Sequence, residues 1–332
     1  MELFIFLYFL YLALGFALLW VSGEMCVRYS VKTAHLFKVT TLFIGFFLIA
    51  ISTGFPELAV IFISAFKKVP SIAVGTMIGS VIANIGFALA IPAFLVKSIS
   101  VTKKESRNLI IMLVFSLIAI IFVFYIQNLG NLAGLILIFS YIIAIWWIYK
   151  NQTTLRHAKI KKEDARVVAN NQPGYKIFWT SKLGVLIKLS ASLGLLFFAS
   201  EITVRAIIKI AEYFSLSMSI VGATISGTGT SLPELLLSIQ AVRKREFSLA
   251  LGNIVGSVLE VATFLLGAAV LVSPTIVSLK SLNSMIPFLV LTLGTTIFAL
   301  AKDNAFKRIY GILVFLIFII FMIYHLFFSR EL

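Results

Sequence analysis

The chain has 332 residues, 61% of them hydrophobic and only 12% charged, and its mean hydropathy is +1.07. Soluble domains carry about 25% charged residues, so this chain lacks the polar surface to enclose a water-soluble globule and reads as one membrane domain. Its formal charge of +15 would suggest nucleic-acid binding in a soluble protein; here it has to be read by where the basic residues fall.

A hydrocarbon core about 30 Å thick takes about 20 apolar residues per helical crossing. In chain order, apolar stretches fall at 2–27, 39–66, 71–96, 108–126, 130–149, 183–209, 216–241, 248–272, 284–301 and 308–328. The expectation is an all-α polytopic membrane protein with ten transmembrane helices. The first stretch opens Met-Glu-Leu-Phe with no basic segment before it, which argues against a cleaved signal peptide. Cys26 is the only cysteine; it has no internal disulfide partner and reads as a packing residue.

The long polar segment 150–182 contains Arg156, Lys159, Lys161, Lys162, Arg166 and Lys176. Basic residues near helix ends are retained in the cytoplasm, so this loop is expected to face inward. Counting outward from it puts 21 of the 28 basic residues in cytoplasmic connections and both termini outside.

Sliding the chain by 177 residues superposes Glu24 on Glu201, Arg28 on Arg205, Thr53 on Thr230, Pro56 on Pro233, Glu57 on Glu234, Gly75 on Gly252, Gly79 on Gly256 and Ser80 on Ser257. Without a gap from 24 to 84, 18 of 61 positions are identical, polar and helix-breaking residues among them. The expected organisation is a first repeat over 1–149 with its motif at 50–84, the basic loop 150–182, and a second repeat over 183–332 with its motif at 227–261. Five spans per half is an odd number, so the second copy enters the membrane from the opposite side. Such inverted repeats place substrate near the midplane, where they meet.

The first motif reads A-I-S-T-G-F-P-E-L from Ala50 and the second G-T-G-T-S-L-P-E-L from Gly227. Proline removes a helix hydrogen bond and glycine tolerates an unwound backbone, so helices 2 and 7 are expected to break there. Freed carbonyls at membrane depth persist only where they face protein or a polar cavity. A glutamate beside each break costs at least a few kcal/mol without a partner. Two that converge stay ionised only if a cation neutralises them. Calcium fits, being a hard divalent ion that takes six to eight oxygens. Hydroxyls of Thr53, Thr230 and Ser231 and carbonyls near Ala50 and Gly227 complete the expected shell. On the following helices, G-T-M-I-G-S (Gly75–Ser80) and G-N-I-V-G-S (Gly252–Ser257) carry the small-xxx-small spacing that lets backbones approach. That brings Ser80, Ser257 and Asn84 toward the breaks, as oxygen ligands suited to sodium. The pairs Glu24 with Arg28 and Glu201 with Arg205 read as structural i, i+4 contacts.

These paired segments resemble the alpha repeats of the calcium/cation antiporter superfamily, in particular the prokaryotic sodium/calcium exchangers, whose repeats read approximately G-T-S-L-P-E and G-N-x-x-G-S-N. The resemblance implies that Glu57 and Glu234 bind calcium and sodium alternately, helped by Thr53, Thr230, Ser231, Ser80, Ser257, Asn84 and backbone carbonyls, while the first helix of each repeat slides past a rigid core. The chain departs from that pattern at Gly54, where serine is usual, at Phe55, at Val81 and Val258, and at Val261. Glu260, three residues after Ser257, is expected to replace the polar ligand missing at Val261. The central loop is too short for large regulatory calcium-binding domains.

The reading is thus a secondary antiporter of calcium against sodium, with proton-coupled calcium exchange by the same fold as the alternative and a passive cation channel as a third class. No cofactor and no nucleic-acid partner is expected beyond the transported ions and the bilayer, and a monomer is compatible with the internal symmetry. An enzyme is disfavoured: no nucleophile and base are paired, and His35, His157 and His325 are scattered.

Overall fold

The computed structural model describes residues 2–54, 57–58, 61–62, 66, 70–151, 181–213, 229–276 and 284–327. The described chain is mostly helical. Helix α1 spans Glu2–Phe37 and α2 spans Thr41–Thr53. Helix α3 runs Pro70–Ala83, continues as a π-helical segment Asn84–Leu89 and ends at Ala90–Leu95. Then follow α4 (Lys103–Ile126), α5 (Asn131–Asn151), α6 (Lys182–Tyr213), α7 (Leu232–Arg243), α8 (Phe247–Val272), α9 (Ile286–Asp303) and α10 (Arg308–Phe327). Seven of the described helices are long and apolar enough to cross a membrane.

Several helix ends differ from the hydropathy reading. Helix α1 continues past residue 27 to Phe37, so Arg28 and Lys32 lie on the helix and not in a connection. Helix α4 begins at Lys103, five residues early. There Thr102 accepts from the Glu105 backbone N–H while the Glu105 carboxylate accepts from the Thr102 N–H. Such a capping box holds a polar first turn that hydropathy alone misses. Helix α6 likewise extends to Tyr213.

The 177-residue offset persists well beyond the motifs. The π-helical segment at Asn84–Leu89 recurs at Val261–Leu265. Strand β1 (Ser98–Ser100) pairs antiparallel with β4 (Ala305–Lys307), and β2 (Asn128–Leu129) pairs with β3 (Thr275–Ile276). Moving β2 forward and β3 back by one repeat places them on β4 and β1, with the pairing displaced by one residue. Gln127 and Asn304, also one offset apart, end α4 and α9 with φ of 53° and 49°.

Helix α8 is the structural centre. Its glycines bring it against α2: a Cβ on Gly252 would stand 2.5 Å from the Leu42 carbonyl oxygen, and one on Gly256 would stand 2.9 Å from the Ala50 Cβ. The repeat equivalents of Leu42 and Phe46, Ser219 and Ala223, lie outside the described residues. Outside this core α1 runs along α6, where the Cys26 thiol is buried and donates to Ser192 Oγ at 3.3 Å.

Candidate functional site

Helix α7 begins at Leu232 after a turn through Gly229, Thr230 and Ser231. Pro233 falls in its first turn, where a missing N–H costs nothing. Glu234 follows, buried, at the end of the helix where the backbone dipole favours negative charge. One repeat earlier, Gly54 stands for Ser231 with nearly the same backbone, φ −74° and ψ 0° against −87° and 6°. Glu57 follows in helical conformation.

The first break keeps much of its backbone hydrogen bonding. In the first repeat Gly54 N–H donates to the Ala50 carbonyl and Leu58 N–H to the Gly54 carbonyl, each at 2.9 Å. The Ala50 oxygen also accepts from Thr53 Oγ1 at 3.2 Å, so it is engaged and not freed as the motif suggested. The irregularity of α2 lies upstream, in the π-helical segment Ile44–Ile49. Pro56 and Gly227 lie outside the described residues.

Glu57 and Glu234 are fully buried. Each stands within Coulombic range of the other half: Glu57 feels the charges of Glu234 and Glu260, and Glu260 feels Glu234. Among the described residues no basic side chain is buried with them. The threonines cross over, Thr230 approaching Glu57 and Thr53 approaching Glu234. The first approach stays short of hydrogen-bond geometry, since neither Glu57 oxygen has a partner by that criterion. The single hydroxyl proton of Thr53 has three acceptors in reach instead: the Ile49 carbonyl at 3.1 Å, the Ala50 carbonyl at 3.2 Å and Asn253 Oδ1 at 3.4 Å. Ser257 Oγ donates to Glu234 Oε1 at a long 3.5 Å.

Six buried oxygens of the expected site have no hydrogen-bond partner: both of Glu57, Oε2 of Glu234, Oε2 of Glu260, Ser80 Oγ and Asn84 Oδ1, and the three glutamates among them lie within Coulombic range of one another. Leaving such atoms unpaired costs about 1–3 kcal/mol each, more when charged. A hard cation satisfies several at once. Among the described residues no three His, Cys, Asp or Glu side chains are grouped closely enough to hold a metal ion by themselves.

Two placements were not legible in the motifs. Asn253 is buried within the G-N-I-V-G-S segment and links α8 to Thr53 of α2; its repeat equivalent is Thr76, so the identities alone do not mark it. Glu260, expected to stand in for Val261, turns its carboxylate toward Gly54.

The profile of the family described as sodium/calcium exchanger protein matches residues 7–150 and 185–327. The chain is 24% identical over 335 residues to the sodium/calcium exchanger MaX1 of Methanosarcina acetivorans, covering 93% of this chain and 95% of that one. It is 29% identical over 303 residues to an uncharacterized membrane protein of Methanocaldococcus jannaschii, with 91% and 93% covered. Among solved structures, the sodium-calcium exchanger NCX_Mj soaked with 10 mM Na+ and zero Ca2+ superposes with a TM-score of 0.79 at 27% identity, over 95% of this chain and 98% of that one. The same exchanger soaked with 2.5 mM Na+ and 0.1 mM Ca2+ gives 0.78. A membrane protein with paired P-E motifs, a buried acidic centre and these likenesses over nearly its whole length belongs to the sodium/calcium exchanger protein family.

Proposed function

We propose that the chain exchanges calcium for sodium across the membrane by alternating access, with both ions held by Glu57 and Glu234. The observation that carries this reading is the pair itself. Two glutamates from equivalent positions of two repeats are buried within range of each other with no basic side chain buried beside them among the described residues, a state that two positive charges relieve. Thr53, Thr230, Ser231, Ser80, Ser257, Asn84, Glu260 and the carbonyls of Ala50 and Gly227 contribute the remaining oxygens. Relatives named as exchangers, and NCX_Mj with its sodium and calcium soaks, support the same ions.

The architecture in this proposal is ten transmembrane helices in two inverted halves, 1–149 and 183–332, joined by the basic segment 150–182. The recurrence of π-helical segments, strand pairs and positive-φ caps at one offset supports it. The basic residues favour a cytoplasmic central loop and extracytoplasmic termini.

Proton-coupled calcium exchange is the second reading. What favours it is the loss of sodium-type ligands at Gly54 and Val261. The test is calcium flux in proteoliposomes of the purified chain under separately imposed gradients. Calcium uptake driven by an outward sodium gradient at equal pH supports the proposal. Uptake driven by a proton gradient alone transfers it to the second reading, and uptake indifferent to any opposing gradient describes a channel.

A further inference from the structure

At position 54 the backbone is ordinary, and the equivalent residue in the second repeat is a serine in nearly the same conformation. Glycine is therefore not required there by φ or ψ; what it supplies is space. A Cβ built on Gly54 would stand 3.2 Å from each carboxylate oxygen of Glu260 and 3.3 Å from the Ala50 carbonyl oxygen. The space that a side chain would fill is thus bounded by three oxygens from α8 and α2. The reciprocal pair is inverted in size: Ser231 stands for Gly54, and Ala83 stands for Glu260. The second repeat carries the larger residue at both positions and the first repeat the smaller, so each pair sets a larger side chain of one repeat against a smaller one of the other.

Glu260 is 1% exposed, and its Oε2 has no hydrogen-bond partner. Tyr141 and Glu234 are near enough to interact with its charge, and no basic side chain is buried beside it among the described residues. One carboxylate and a carbonyl make a single negative charge with few ligands, short of the six to eight oxygens that calcium takes. We propose that Gly54 and Glu260 act as a pair forming a separate subsite for a sodium ion at the first-repeat wall of the cavity. The missing side chain at 54 seats the Glu260 carboxylate beside the Ala50 carbonyl. Thr53 Oγ1 has one proton for three acceptors, the Ile49 and Ala50 carbonyls and Asn253 Oδ1; turned to either of the other two it frees one lone pair of the Ala50 oxygen for the ion, while Gly54 N–H keeps the other. This inference rests on the sodium/calcium reading.

The experiment is displacement of bound radioactive calcium by sodium at fixed pH in the purified full-length chain, comparing wild type, Glu260→Gln and Gly54→Ala. Glu260→Gln keeps the side-chain shape and removes the charge; Gly54→Ala puts a methyl into the space. Thermal unfolding of each variant establishes that it is folded, and either variant alone suffices. The expected result is a Hill coefficient for sodium lowered by about one in Glu260→Gln, and a raised half-effective sodium concentration in Gly54→Ala. A sodium slope unchanged in Glu260→Gln overturns the pair, and so does an unchanged half-effective sodium concentration in Gly54→Ala. So does a loss of calcium affinity in Glu260→Gln with the sodium slope intact, which would make Glu260 a calcium ligand. If sodium fails to displace calcium from the wild-type chain, the exchange reading itself has failed, a result distinct from either.

Discussion

Lys244 Nζ, just past the end of α7, lies 3.1 Å from Glu24 Oε1 on α1 and also donates to the Glu24 carbonyl at 3.3 Å. The contact joins the first helix of one repeat to the broken helix of the other, and Arg243 beside it stacks 4.7 Å over the Trp20 ring. Because α1 packs mainly along α6, this cluster ties that pair to the core.

If α1 moves during transport, the tie biases one position over another. Both side chains are partly exposed, and such pairs are worth about 0.2–1 kcal/mol. Lys244→Ala is then expected to shift the balance of inward- and outward-open states by up to about fivefold, read by cysteine accessibility from each side of sealed vesicles. The repeat equivalents are Glu201 and Lys67, the latter outside the described residues, and Lys67→Ala is expected to shift the balance in the opposite direction. Identical shifts from both substitutions would dissociate these residues from the direction of facing.

The close approach of α8 to α2 makes a second prediction. A methyl at Gly252 meets the Leu42 carbonyl, which is backbone and cannot yield as a flexible side chain does. Gly252→Ala and Gly256→Ala are each expected to cost about 1–3 kcal/mol of stability, in the range of overpacked cores, measured by denaturation in detergent. Gly194, where nothing described lies within 4 Å of an added Cβ, provides the control: Gly194→Ala on α6 is expected to be neutral or slightly stabilising.

The Thr53 contact with Asn253 yields a third. Thr53→Val keeps the shape and removes the donor to Asn253 Oδ1 at 3.4 Å. A bond of this length contributes about 0.5–1.5 kcal/mol at most, so the stability change is expected to be small. A larger effect is expected on calcium affinity, because Thr53 also approaches Glu234. Comparing the unfolding midpoint with the calcium dissociation constant of the same variant separates the two roles.

What the sequence revealed follows from what survives as local pattern. The repeat was legible because Pro56, Glu57, Gly79 and Ser80 recur with Pro233, Glu234, Gly256 and Ser257 at one spacing, and polar residues inside apolar spans are conspicuous. Helix ends were not legible where polar residues remain helical: Arg28 and Lys32 on α1, or the capped first turn of α4 at Thr102 and Glu105. The neighbour of Glu260 was hidden for a related reason. Helical spacing relates it to Ser257 on its own helix, whereas its neighbour Gly54 is 206 positions away and is identified by the space it leaves. The engaged Ala50 carbonyl was hidden because a motif signals that a helix is disturbed without fixing which hydrogen bond is lost.

The final prediction concerns the two glutamates. Glu57→Gln and Glu234→Gln each remove one negative charge from a buried site without changing side-chain volume. A divalent ion then faces one carboxylate fewer in a region where no basic side chain is buried among the described residues. Losing one charge-assisted contact in a poorly hydrated cavity costs about 3–5 kcal/mol, which corresponds to a drop of at least about a hundredfold in calcium affinity at 1.4 kcal/mol per decade. Stability is expected to move the other way. Two unpaired buried carboxylates repel in the ion-free protein, so each glutamine variant is expected to unfold at the same or a higher temperature than wild type when calcium and sodium are withheld. Adding calcium is expected to stabilise wild type and leave both variants unmoved. Thermal unfolding with and without the ions therefore separates a binding role from a structural one: a variant that loses stability in ion-free buffer while keeping its response to calcium would mean that these side chains serve the fold and not the ion.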